Sequence, residues 1–150
     1  MIAKYNKQYF CVDLSVKPVE IWKYDEVKGF EKCIDDGLVY YRKFVNLEEI
    51  DEIFDVGFSA KWDNKWCGAS PLSNGKVQLI CGNRDFALEH EMEEFERGVF
   101  WCSADISECT EFRMTKERFL TNETKALFLT KEDFIRWYKL LREDLLPPQK

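Results

Sequence analysis

Residues 9–16 alternate strictly between apolar and polar positions. Phe10, Val12, Leu14 and Val16 share one face, and Cys11, Asp13 and Ser15 share the other. A period of two marks a half-buried β-strand. Pro18 punctuates the run, and Val19 to Tyr24 reads as a second extended stretch. Val27, Phe30 and Ile34 recur at helical spacing, with Gly37 as a stop. Residues 38–45 are rich in β-branched and aromatic side chains and predict a strand. Asn46 then offers an N-cap, and Leu47, Ile50 and Phe54 predict a short helix over 46–56, closed by Gly57.

Phe58, Ala60 and Trp62 alternate with Ser59 and Lys61, which predicts another strand. Residues 63–75 (DNKWCGASPLSNG) hold dense turn chemistry and read as a long loop ending in an Asn74-Gly75 turn. Residues 76–81 return as a strand. Residues 84–97 fit both periods. Phe86, Leu88, His90 and Met92 alternate, while Leu88, Met92 and Phe95 form a helical stripe between Asn83 as cap and Gly98 as stop. The many glutamates favour helix, because Glu is depleted in strands. Strands are predicted at 99–106 and 111–119, joined through 107–111.

The last element has the plainest signature. Thr130 is a strong N-cap with Asp133 three residues on, and Leu129 and Phe134 form a hydrophobic staple. Phe134, Trp137, Tyr138, Leu141 and Leu145 then make one apolar stripe, and Pro147-Pro148 ends it. The expectation is an α+β fold. It has a mostly antiparallel sheet, a C-terminal helix over 130–146 and one to three shorter helices packed on the sheet. The strands are not regularly separated by long helices, so a doubly wound parallel sheet is not expected. No repeat, low-complexity segment or internal linker is visible, so 1–150 reads as a single domain.

At 150 residues and 45% apolar, the chain is long enough to bury its own core. Twelve Phe, six Tyr and five Trp exceed what such a core needs, which leaves rings for a surface where partners bind. The formal charge of −6 disfavours nucleic acid and anionic membranes as partners and favours a basic protein or a small ligand. Six cysteines, at 11, 33, 67, 81, 102 and 109, lie mostly in apolar runs without a CxxC. With no secretory h-region at the N-terminus, they read as free thiols in a cytoplasm. No apolar run reaches 18 residues.

Chemical motifs are few. His90-Glu91-Met92-Glu93-Glu94 has the outline of a zincin helix, but Glu94 stands where a second histidine is required. His90 is the only histidine, so any Ser–His or Cys–His pair must use it. No G-x-S-x-G elbow, glycine-rich phosphate loop or P-loop occurs, and neither cofactor nor metal is expected. Asn122-Glu123-Thr124 matches a glycosylation sequon without secretory context.

Two acidic clusters remain as candidate partner-binding residues. Glu48, Glu49, Asp51, Glu52 and Asp55 form one; Glu89, Glu91, Glu93, Glu94 and Glu96 form the other. Like charges so close repel unless a basic partner offsets them. Trp62 and Trp66 are candidate aromatic anchors. In general character the chain is similar to bacterial immunity proteins: small, acidic, aromatic-rich and without chemistry of its own. The likeness implies an inhibitor that occludes a toxin, such as a nuclease. The alternative is a small enzyme or small-molecule binder with a pocket near 62–75, lined by Trp62, Trp66 and Cys67. Self-assembly through exposed aromatics is a third reading, and oligomeric state stays open.

Overall fold

The computed structural model describes residues 1–148. Twelve strands dominate: β1 (Ile2–Tyr5), β2 (Gln8–Asp13), β3 (Val19–Lys23), β4 (Glu31–Asp35), β5 (Leu38–Val45), β6 (Glu52–Trp62), β7 (Lys65–Pro71), β8 (Lys76–Cys81), β9 (Glu93–Glu96), β10 (Val99–Asp105), β11 (Cys109–Arg118) and β12 (Thr124–Leu129). Two α-helices accompany them, α1 (Arg84–Glu89) and α2 (Lys131–Tyr138). The architecture is thus a mostly antiparallel sheet with a C-terminal helix, as the α+β expectation held.

Contacts divide the chain into two compact units. The first comprises Met1–Val56, Lys116–Lys125 and the chain from Lys139; the second comprises Gly57–Thr115 and Ala126–Tyr138. Strand order in the first unit is β4-β5-β3-β2-β1-β6. Its core is Ala3, Phe10, Ile21, Val45 and Ile53, with Val27 and Phe30 packed against them. The Phe10 and Phe30 rings stack with centroids 5.0 Å apart. Strand order in the second unit is β9-β10-β8-β7-β6-β11. There Phe58, Phe112, Phe134 and Tyr138 interlock, with Phe112 and Phe134 stacked at 4.9 Å.

The two units repeat one pairing scheme, where the sequence showed no repeat. In β1–β2, Ala3 faces Phe10 and Tyr5 faces Gln8. In β6–β7, Ala60 faces Cys67 and Trp62 faces Lys65. Both hairpins close with two residues at positive φ, Asn6-Lys7 and Asp63-Asn64, the backbone a two-residue turn needs to match strand twist. Cys11 then faces Trp22 as Gly68 faces Ile80. Val19 faces Val45 as Val77 faces Ala104. After β5 a capping box joins Asn46 and Glu49, and after β10 the same box joins Asp105 and Glu108.

Four local expectations are corrected. Residues 31–35 are the edge strand β4, not a continuation of a helix from Val27. Val27 and Phe30 serve the core through a turn, while Ile34 is 68% exposed, so the three never formed one stripe. The helix over 46–56 is only one tight turn, Leu47–Glu49. Beyond it Ile53, Phe54 and Val56 are buried in β6, where strand pairing with β1 overrides helical spacing. The long loop at 63–75 is a hairpin turn followed by β7, although the turn at Ser73–Gly75 is where the sequence placed it. Residues 84–97 are both elements in turn. Asn83 caps α1 by accepting from the Phe86 amide at 3.0 Å, and β9 follows as a strand carrying Glu93, Glu94 and Glu96.

The C-terminal helix begins as expected. The Asp133 amide donates to the Thr130 hydroxyl oxygen at 3.1 Å. From Lys139 the chain widens to a five-residue repeat through Glu143, with the Asp144 amide bonding to the Lys139 carbonyl at 2.8 Å. Leu141 and Leu145 are buried in the first unit, and the Cys11 thiol donates to the Leu145 carbonyl at 3.3 Å. Arg142 donates to the Val56 carbonyl.

Truncating Leu141 removes a fully buried side chain. Leu141→Ala is expected to cost about 2–5 kcal/mol in urea unfolding, and Thr130→Ala about 1 kcal/mol through the lost cap. A Leu141→Ala midpoint equal to wild type would contradict this placement of the C-terminal segment.

Candidate functional site

Alternation places Glu20, Trp22 and Tyr24 on one face of the first unit, because residues two apart on a strand share a face. Pairing brings β2, β4 and β5 alongside. Asp13 lies opposite Glu20, and Asp35 lies opposite Leu38 across the Asp36-Gly37 turn. These residues and Tyr40 line an open cleft of about 270 Å³. Three carboxylates and three aromatic rings therefore meet on a half-buried sheet face.

Electrostatics keep the cleft negative. The Ser15 hydroxyl and amide donate to the Asp13 carboxylate at 2.6 and 2.9 Å, and these bonds hold its pKa below the usual carboxylate value. Glu20, 19% exposed, lies 3.8 Å from Arg42, which Glu31 shares at 3.3 Å. Asp35 is exposed. Burial, with Cys33 and Glu20 nearby, raises the Tyr40 pKa, so Tyr40 stays a neutral phenol. None of these residues was singled out from the sequence as a site. The signal was there: an aromatic or charged residue at every second position, in Glu20-x-Trp22-x-Tyr24 and Tyr40-x-Arg42-x-Phe44.

The second unit supplies an internal comparison. Register equates Asp13 with Ser70, Glu20 with Gln78 and Trp22 with Ile80. Asp35 corresponds to Glu96, since each precedes a two-residue turn ending in glycine at positive φ. Core positions keep their apolar character: Ala3 with Ala60, Val19 with Val77, Ile21 with Leu79. The second unit thus builds the same pairing scheme without two of the carboxylates and the indole.

The sequence-derived acidic residues are dispersed. Glu49 is spent on the cap of Asn46 at 2.8 Å. Glu52 pairs with Lys116, and Asp55 lies 3.5 Å from the N-terminal amino group. Asp51 is exposed, and its amide donates to the Lys4 carbonyl. Glu48 is exposed and borders a separate apolar cleft of about 400 Å³ with Leu14, Val16, Pro18, Leu47 and Phe119. In the second unit Glu94 pairs with Arg84 at 3.3 Å, while Glu89, Glu91, Glu93 and Glu96 are exposed.

Trp62 and Trp66 are half-buried in internal contacts. Trp62 lies 4.8 Å from His90 and 5.8 Å from Phe86. Trp66 carries the Arg113 guanidinium at 4.1 Å and lies 6.1 Å from Phe128. Cys67 is buried, and burial pushes its thiol up to about 11, which removes the thiolate a nucleophile requires. The four cavities described are lined by residues other than Trp62, Trp66 and Cys67. Among the described residues no group of three His, Cys, Asp or Glu is placed to hold a metal ion. Among them also, no helix is long and apolar enough to cross a membrane.

His90 acts as a tie. Its Nδ1 donates to the Phe86 carbonyl at 2.8 Å and its Nε2 to Asp63 at 2.7 Å. Two acceptors favour the imidazolium, and the Phe86 bond first, then Asp63, raises the pKa above 6.5. Its stabilising share is complete below the ordinary value and is lost as pH rises through the raised one. Wild type is therefore expected to lose urea stability relative to His90→Gln as pH rises above 6.5; parallel profiles for the two proteins would contradict the tie. All six cysteines are free. Cys67 and Cys109, both pushed up to about 11 by burial, should resist iodoacetamide at pH 8 in the folded protein while Cys33 labels. Rapid labelling of Cys67 would reopen it as a nucleophile.

No protein-family model, curated protein or solved structure gives a significant match to the chain.

Proposed function

We propose that this protein binds a basic protein partner through the acidic, aromatic face of its first unit and inhibits it by occlusion. The concrete form is a bacterial immunity protein that neutralises a toxin, such as a nuclease. One observation carries the reading. Asp13, Glu20 and Trp22 converge in a cleft, while the equivalent strand positions of the second unit carry Ser70, Gln78 and Ile80. Carboxylates and rings gathered on one face suit a cationic surface. The net charge of −6 and the exposed Glu48, Glu89, Glu91, Glu93 and Glu96 add a long-range field that steers such a partner. A cytoplasmic location belongs to the same proposal and accords with six free thiols.

The test begins with co-expression beside toxin-domain genes adjacent to this one in its native genome. The expected result is restored growth and a purified complex with a basic toxin domain. Association should slow at least tenfold between 0.1 and 1 M salt, as the Debye length falls from about 10 Å to about 3 Å. No rescue together with no complex would overturn the proposal. So would a complex whose association rate ignores salt.

A further inference from the structure

We infer that the cleft of Asp13, Glu20, Trp22, Tyr24, Asp35 and Tyr40 is a receptor for one arginine side chain presented by the partner. This rests on the reading that the partner is a basic protein. The lining itself selects the ligand. Carboxylates select a cation, and flat rings beside them select one that is planar and weakly hydrated, which is guanidinium rather than ammonium. Its size fits as well, since an open cleft of about 270 Å³ has room for a side-chain head.

The same face already shows how it treats a guanidinium. Arg42 lies with its Nε 3.3 Å from Glu31, an Nη 3.8 Å from Glu20, and its guanidinium carbon 5.1 Å from the Phe44 centroid. That is a guanidinium between carboxylates and over a ring, two residues from Tyr40 on β5 and directly opposite Trp22. Asp35 and Asp13 have no basic partner among the ion pairs described, so the cleft can repeat the arrangement with an incoming arginine. Trp22 supplies the larger ring, and indole is the strongest cation–π acceptor among the aromatics.

Internal equivalence also provides the control. Asp13→Ser, Glu20→Gln and Trp22→Ile together write the second unit's residues into the first. A scaffold that already holds Ser70, Gln78 and Ile80 at these positions should accept them. Asp35→Asn is a second, milder variant at an exposed turn position.

The probes are capped Gly-Arg-Gly, Gly-Lys-Gly and Gly-Gly-Gly tripeptides and free n-propylguanidine, titrated at low salt into 15N-labelled protein. The arginine tripeptide should shift the amides of residues 20–24 and 40, with millimolar affinity. The lysine tripeptide should bind several-fold more weakly, and the glycine tripeptide should shift nothing. Asp35→Asn should weaken arginine binding several-fold. The triple variant should abolish it while keeping a wild-type circular dichroism spectrum. Shifts absent from the cleft, or undiminished in both variants, would overturn the inference. Equal affinity for lysine would overturn the guanidinium assignment, and tighter binding of n-propylguanidine, a monocation like the capped tripeptide, would overturn presentation by a protein. Failure here is separable from failure of the parent reading. A toxin that the triple variant no longer binds, with cleft amides that the arginine tripeptide leaves unshifted, removes the arginine receptor and keeps the face as the interface; a toxin that binds the triple variant as tightly as wild type removes both.

Discussion

Strand register is the constraint on which the rest of this structure depends. A strand turns successive side chains to opposite faces, so a slip of one residue exchanges core for surface along its whole length. Here the Asn6-Lys7 turn fixes β1 on β2, and Asp63-Asn64 fixes β6 on β7, through residues at positive φ. With Ala3 facing Phe10, β2 in turn pairs Val12 with Ile21 and Cys11 with Trp22. The first of these pairs goes to the core and the second to the outer face. The cleft therefore depends on the same alternation of faces that seals the core.

Because both units use one pairing scheme, the fold separates what packing requires from what it merely permits. Inward positions stay apolar in both, as with Ile21 and Leu79, each fully buried. Outward positions diverge, as with Trp22 and Ile80 or Glu20 and Gln78. Edge strands differ less. β4 carries Glu31, Lys32 and Asp35, and β9 carries Glu93, Glu94 and Glu96, charges that discourage unplanned pairing at an open edge. The glutamates of β9 thus have a structural use that does not need a partner.

Much of the secondary structure was legible, because its signals are local. The strands at 38–45 and 76–81, the cap at Asn83 and the cap at Thr130 stand where the sequence put them. Asn46 also caps, but its helix stops after one turn because Ile53 and Phe54 gain more from pairing with β1. The repeat was hidden because the spacing between equivalent residues drifts. It is 57 from Ala3 to Ala60, 58 from Val19 to Val77, 61 from Gly37 to Gly98 and 59 from Asn46 to Asp105. No fixed period survives such drift. The cleft was hidden for a related reason. Its residues come from four strands, and only register brings Asp13 to Glu20 and Asp35 to Leu38. Charge density along the chain pointed instead to clusters that pair internally or stand apart, as Glu52 does with Lys116.

Hydrogen–deuterium exchange with a nona-arginine peptide sets the cleft most directly against every other acidic surface of the molecule. If the first unit's outer face is where cations are captured, protection will concentrate in β3, β4 and β5 around residues 20–24 and 33–42. The equivalent strands β8, β9 and β10 will exchange as in the free protein. Protection spread over both units, or strongest along β9 and its glutamates, would show that charge alone draws the peptide and that the cleft has no special part in it.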